Sequence, residues 1–200
     1  MARRPFRTFL LVLLGAVLAA LGWTEYLIRR EAVSPLAVWN HEGRATALVV
    51  YHPGITAFPG AVAEGLAAGL VEAGWRVEIT TASVQAPTAV ETYALLAVVG
   101  PTYWWTPARP LLRYVARLPD LHAKPTIALV TGAGSTDRSQ RILADALRDR
   151  HALIVREMSL WTMKPNKEDE YSWRTNEDVG VRLAREAGRA IAPPDSIAAP

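Results

Sequence analysis

Residues Ala45 to Phe58 read ATALVVYHPGITAF, and the reading of this stretch places the rest of the chain. From Ala45 to Tyr51 the residues are mostly apolar with no helical period, the mark of a strand buried on both faces. His52-Pro53-Gly54 stops it. Ile55 and Thr56 then lead into a helix over Phe58 to Ala73, where Val62, Leu66 and Leu70 recur at four-residue steps before a glycine stop at Gly74. A buried strand, a glycine turn and an amphipathic helix begin a βαβ unit.

The pattern continues downstream. WRVEITT (Trp75–Thr81) alternates like a strand nearer an edge, YALLAVV (Tyr93–Val99) and PTIALV (Pro125–Val130) are further buried strands, and Leu153 to Met158 supplies a fifth. Between them come helices over Ala108 to Leu118 and about Ser139 to Arg148, and a last one from Asn176, which can cap it, through Ala190. ASVQAPTAVE, between the second and third strands, is too short and proline-broken for a long helix, so one crossover is abbreviated. Five strands alternating with helices predict an α/β fold with a parallel sheet covered on both faces. The expected boundaries are a domain over 45–192, a linker over 31–44 and a tail over 193–200.

The N-terminus is different. Uncharged residues run from Thr8 to Thr24 between arginines and Glu25, and Tyr26 to Ile28 extend the apolar stretch. That length sits at the short edge of a membrane-spanning helix, with Trp23 and Tyr26 where interfacial aromatics sit. Residues 1–30 therefore read as a membrane anchor, crossing through 8–28. A secretory signal is the competing reading, because Arg3, Arg4 and Arg7 precede the apolar run and Ala20-Leu21-Gly22 offers small residues for cleavage. The arginine count leans slightly toward a single-pass protein of the cell membrane with its domain outside the cytoplasm.

The chain has 22 Lys and Arg against 19 Asp and Glu, but residues 1–30 hold five of the basic residues and one of the acidic ones. The remainder has 17 against 18, formally −1, so net charge gives nucleic-acid binding no support. There is no cysteine, hence no disulfide framework and no thiol chemistry. His41, His52, His122 and His151 are scattered without metal-ligand spacing, and Ser135 makes no nucleophile elbow.

In an open α/β sheet, ligands bind beyond the carboxyl ends of the strands. Three loops there are unusual. YHPGITAF puts Gly54 before a helix start, where backbone N–H groups and the helix dipole attract a phosphate, with Thr56 adding a hydroxyl and His52 a switchable charge. An ordinary strand-to-helix turn has the same composition. GPTYWWTP carries three consecutive rings, suited to stacking on a planar ligand, to capping the core or to a dimer interface. TGAGSTD has small residues that let a ligand approach the main chain. The polar run KPNKEDEYSWR (164–174) is a solvated loop or a lid over the site, since Trp161, Tyr171 and Trp173 are many rings for one exposed stretch.

Over roughly Thr46 to Ile191 this order of elements resembles the flavodoxin-like family, including its NAD(P)H-dependent FMN oxidoreductases. VVYHPGIT, VVGPTYWWTPARPLLRYV and KPTIALVTGAG carry the resemblance. It implies a doubly wound five-stranded sheet of order 2-1-3-4-5 and FMN as cofactor. His52, Gly54, Ile55 and Thr56 would lie at the phosphate. Pro101, Thr102, Tyr103, Trp104 and Trp105 would lie beside the flavin ring, and Thr131, Gly132, Ala133 and Gly134 on its other edge. The partner would be NAD(P)H or a redox protein. His52 and Pro53 stand where the family commonly has hydroxyls, and Pro53 has no N–H to donate. A cofactor-free binding module tethered to the membrane is therefore the alternative.

Overall fold

The computed structural model describes residues 3–166 and 175–194. Helix α1 (Arg3–Arg29) leads into strand β1 (Ala37–Trp39), and then the domain alternates: β2 (Thr46–Tyr51), α2 (Phe58–Glu72), β3 (Arg76–Thr81), β4 (Leu95–Tyr103), β5 (Thr106–Pro107), α3 (Arg109–Arg117), β6 (Pro125–Gly132), α4 (Asp137–Arg148), β7 (Leu153–Trp161) and α5 (Asn176–Arg189).

The sheet runs β1-β3-β2-β4-β6-β7, with β5 paired to β4 off this path. β3, β2, β4, β6 and β7 are mutually parallel, which is the expected order 2-1-3-4-5. Alternation along β2 explains why it is central. Ala47 and Val49 join the core on the α2 and α5 face, and Leu48 and Val50 join the core on the α3 and α4 face, all fully buried.

Several element ends shift, with β4 running on to Tyr103, β6 to Gly132 and β7 to Trp161, and two further differences from the sequence reading have a tertiary cause. The stretch expected to be a linker contains β1, which pairs antiparallel with β3 (Val38 opposite Glu78). Ser34 Oγ accepts the Thr81 N–H at 3.0 Å, and the Asn40 amide donates to the Trp75 carbonyl at 2.9 Å. Three residues are too few to show a period, and every one of these partners is distant in sequence. The second correction concerns α5, whose cap is Thr175 rather than Asn176: its hydroxyl accepts the Asp178 N–H at 3.1 Å, and the Asp178 carboxylate returns the bond in a capping box.

α2 and α5 approach closely enough for backbone to meet backbone. A Cβ on Gly69 would overlap the Arg185 carbonyl oxygen, and one on Gly188 would overlap the Leu66 carbonyl oxygen. At the rim, Arg185 and Arg189 both bond Glu72, which holds that carboxyl below its ordinary value. On α1, Phe9–Tyr26 is long and apolar enough to cross a membrane.

Candidate functional site

Because β2, β4 and β6 are neighbours, the loops leaving their carboxyl ends lie side by side. The first begins with His52, whose N–H bonds the Val99 carbonyl at 3.0 Å and so extends the pairing of β2 with β4. His52 is 2 % exposed. Nδ1 accepts the Gly54 N–H at 3.1 Å, and Nε2 lies 3.3 Å from the Arg30 carbonyl oxygen. A neutral imidazole protonated at Nε2 satisfies both contacts. Burial pushes its pKa down; the Arg30 carbonyl opposes this, and the charges of Arg30 and Arg113 add to it. The structure therefore places His52 as a neutral wedge between the first loop and the end of α1, with both ring nitrogens engaged. Gly54 follows at φ +74°, a conformation that glycine adopts without strain.

Tyr103 closes β4 and ties the second loop to the first. Its hydroxyl accepts the Ile55 N–H at 2.9 Å. Burial pushes the phenol pKa up, against the pull of that N–H, so the ring stays neutral and its own O–H remains a donor. Trp104 and Trp105 then form the two-residue loop of the β4–β5 hairpin, in which Thr102 faces Pro107 and Tyr103 faces Thr106. Their φ values are +50° and +59°. A two-residue turn with both residues left-handed is the type I′ geometry that favours Asn-Gly, so two tryptophans here are strained. They are also 70 % and 55 % exposed. What looks in sequence like three consecutive loop rings is one ring in a strand and two at a hairpin tip.

The third loop is strapped down by the exit of β7. The N–H groups of Thr162 and Met163 donate to Gly132 and Ala133 carbonyls at 3.0 Å, and Lys164 N–H donates to Ala133 at 3.1 Å. Trp161 Nε1 bonds the Thr136 hydroxyl at 2.8 Å, and the Lys164 ammonium sits 4.6 Å from the centre of the Trp161 ring. The sequence reading missed Thr162 as a site residue. Its nearest signal was Trp161, ending a strand beside a polar run. Of that run, residues 167–174 lie outside the described residues, and the lid expectation lies there with them.

Two adjoining clefts result. One, of about 210 Å³, lies between Ile55, Thr56, Phe58 and Pro59 on the first loop, Pro101, Thr102 and Tyr103 on the second, and Thr131, Gly132 and Ala133 on the third, with Thr162 at its edge. The other, of about 310 Å³, lies between Trp104 and Trp105 on one side and Gly132 to Ser135 on the other, with Thr102 shared. Of the thirteen residues expected at the site, eleven line one cleft or the other; His52 and Gly54 stand behind the first loop.

Both clefts have unmet polar groups. Among the described residues, Thr102 Oγ1 and Thr131 Oγ1 have no hydrogen-bond partner, although Thr131 is only 1 % exposed. A buried hydroxyl left without a partner costs about 1–3 kcal/mol. Helix α2 also begins without a side-chain cap: Ala57 is its N-cap, and the first turn carries no acidic residue. Its positive dipole end meets the cleft at Phe58 and Pro59, the latter with no N–H to donate. Among the described residues, no group of three or more His, Cys, Asp or Glu is placed to hold a metal ion.

No family model matches the sequence, and no curated protein matches it. Solved structures do. The chain is similar to a flavodoxin from the domain Archaea (17 % identity, 74 % of this chain and 96 % of that one, TM-score 0.57). It is likewise similar to a flavodoxin of Streptococcus pneumoniae TIGR4 (15 %, 74 % and 100 %, TM-score 0.54). An NADH:FMN oxidoreductase also matches (15 %, 76 % and 92 %, TM-score 0.52). At these identities it is the architecture that is shared, and the domain has a flavodoxin-like fold with an apolar helix at its N-terminus.

Proposed function

We propose that this chain is a membrane-anchored, FMN-binding redox protein that passes electrons or hydride between a reduced donor, NAD(P)H as the first to test, and an acceptor. One observation carries the reading. An uncapped helix N-terminus, two buried hydroxyls without partners and an aromatic-walled groove all converge on the ends of three adjacent strands.

These features fit FMN part by part. The α2 N-terminus and the Thr56 hydroxyl suit the phosphate. Thr102, Thr131 and the Tyr103 O–H suit polar edges of the ligand, and Trp104 and Trp105 opposite Gly132 to Gly134 suit a flat ring. Together the clefts exceed the roughly 300 Å³ at which small-molecule sites begin. Bound flavin supplies the redox chemistry. The protein's own groups hold it, orient it and limit its contact with water, and no side chain is required as a covalent catalyst.

A specific observation favours a second reading, a cofactor-free binding module. Of the first-loop N–H groups, Gly54 is taken by His52 and Ile55 by Tyr103, while Pro53 has none. Purifying the full chain in detergent and recording its visible spectrum and Tm, with and without FMN, separates the two. Flavin absorbance and a Tm that climbs with FMN are expected, the ligand adding about 2.7 kcal/mol at a hundredfold excess over Kd. A colourless protein whose Tm ignores FMN overturns the first reading.

A further inference from the structure

The last turn of α1 is fixed to the domain. Ile28 is 7 % exposed. The Arg29 carbonyl accepts a hydrogen bond from Arg113 at 3.2 Å, and Glu31 accepts the Val84 N–H at 3.0 Å and pairs with Arg113 at 3.4 Å. The apolar window Phe9–Tyr26 ends two residues before Ile28, so the domain sits against the end of that helix without a spacer. From Glu25 to Arg29 the helix climbs about 6 Å. The headgroup layer on one face of a bilayer is roughly 5–8 Å thick. Whatever packs beside Glu25 and Arg29 is therefore at headgroup depth.

The groups packed there are the hairpin tip and the first turn of α3. A cavity of about 130 Å³ separates Glu25 and Ile28 from Trp104 and Arg109, and another of about 350 Å³ separates Arg29 from Arg109 and Arg113. Trp23 and Tyr26 stack nearby on α1, ring centres 5.6 Å apart. Arg29 and Arg113 are offset by Glu25 and Glu31. Arg30 and Arg109 are exposed and make no ion pair among the described residues. Trp105 borders the groove facing the third loop, and Trp104 borders both that groove and the cavity against α1. An exposed indole held outward by a strained turn, beside unmatched guanidinium groups, suits an anionic lipid surface.

We propose that Trp104, with Arg30 and Arg109, docks the domain onto the anionic headgroup layer of the membrane that α1 crosses, so that the groove between the hairpin and the third loop opens at the lipid surface. This rests on α1 spanning a bilayer. The fixed junction sets the angle of the domain, and the hairpin is its second point of attachment.

Quenching of tryptophan emission by brominated phosphatidylcholine tests it on the full chain, reconstituted in vesicles with and without phosphatidylglycerol. The variants are Trp23→Phe, Trp104→Phe and, as a control at the opposite end of the sheet, Trp39→Phe. The expected result is that Trp23→Phe and Trp104→Phe each remove a comparable share of the quenchable emission, while Trp39→Phe removes none. Arg109→Glu should reduce the Trp104 share in vesicles containing phosphatidylglycerol. If Trp23→Phe lowers quenching and Trp104→Phe does not, the docking is wrong and the anchor stands. If Trp23→Phe changes nothing, the anchor is wrong and the docking falls with it. A Trp104 share that ignores both phosphatidylglycerol and Arg109→Glu overturns the anionic surface as the partner.

Discussion

At the scale of single residues, the candidate site carries unfavourable terms that the fold alone does not repay. Trp104 and Trp105 occupy left-handed backbone that costs roughly 1–3 kcal/mol per residue. Replacing them by Asn and Gly should raise the Tm of the ligand-free protein, while loss of ring stacking weakens FMN binding roughly twofold to tenfold. Thr131 poses the same trade through one atom. Thr131→Val removes a buried hydroxyl without a partner, so the ligand-free protein should hold its stability or gain about 1 kcal/mol, while FMN affinity falls roughly fivefold. Calorimetry of both states checks each pair; stability and affinity falling together would show that these residues stabilise the fold and overturn the trade. His52 gives a pH dependence whose sign follows from burial. Its folded pKa lies below its ordinary 6.5, so between the two values the unfolded chain binds more protons. Its contribution is complete above 6.5 and declines as pH falls through 6.5 toward the folded value. From about pH 8 to about pH 5 the Tm of the wild type should therefore drop more steeply than that of His52→Gln.

At the scale of elements, the close pairing of α2 with α5 depends on small residues where the two backbones meet. Gly69→Ala would gain about 1 kcal/mol of helix propensity. Overlap with the Arg185 carbonyl oxygen, which no rotamer change relieves, costs about 1–3 kcal/mol or more and should prevail, lowering the Tm by several degrees. A thermal melt of the variant decides it. The strands and helices were readable because each announces itself within its own residues: LVV in β2 by an unbroken apolar run, α2 by Val62, Leu66 and Leu70. β1 was not, since Ala37, Val38 and Trp39 become a strand only when β3 supplies the other half of the ladder. The hairpin tip escaped for a related reason. Nothing about Trp-Trp encodes a type I′ turn; pairing of Thr102 with Pro107 and of Tyr103 with Thr106 imposes it.

At the scale of the whole molecule, the proposed anchor and the proposed cofactor site meet at one end of the sheet. The junction Ile28–Glu31 touches the first loop through His52 and α3 through Arg113. If α1 is retained as a span, the mature chain keeps its full mass and stays in the membrane fraction after alkaline carbonate extraction. Cleavage near Ala20-Leu21-Gly22 would instead give a shorter chain in the supernatant. A reporter fused after Pro200, active on only one side of the membrane, assigns the face on which the domain resides.

The sequence by itself determined the α/β class, the strands that are buried and the three loops that end together, because hydrophobic period and glycine or proline punctuation are short-range signals. Tertiary structure decided how those loops are used. His52 reaches the Arg30 carbonyl, Tyr103 captures Ile55 from 48 residues away, and Thr162 closes on Gly132. Each is a hydrogen bond whose partner is selected by the packing of separate elements, and a donor's partner across the fold has no signature in the residues beside it.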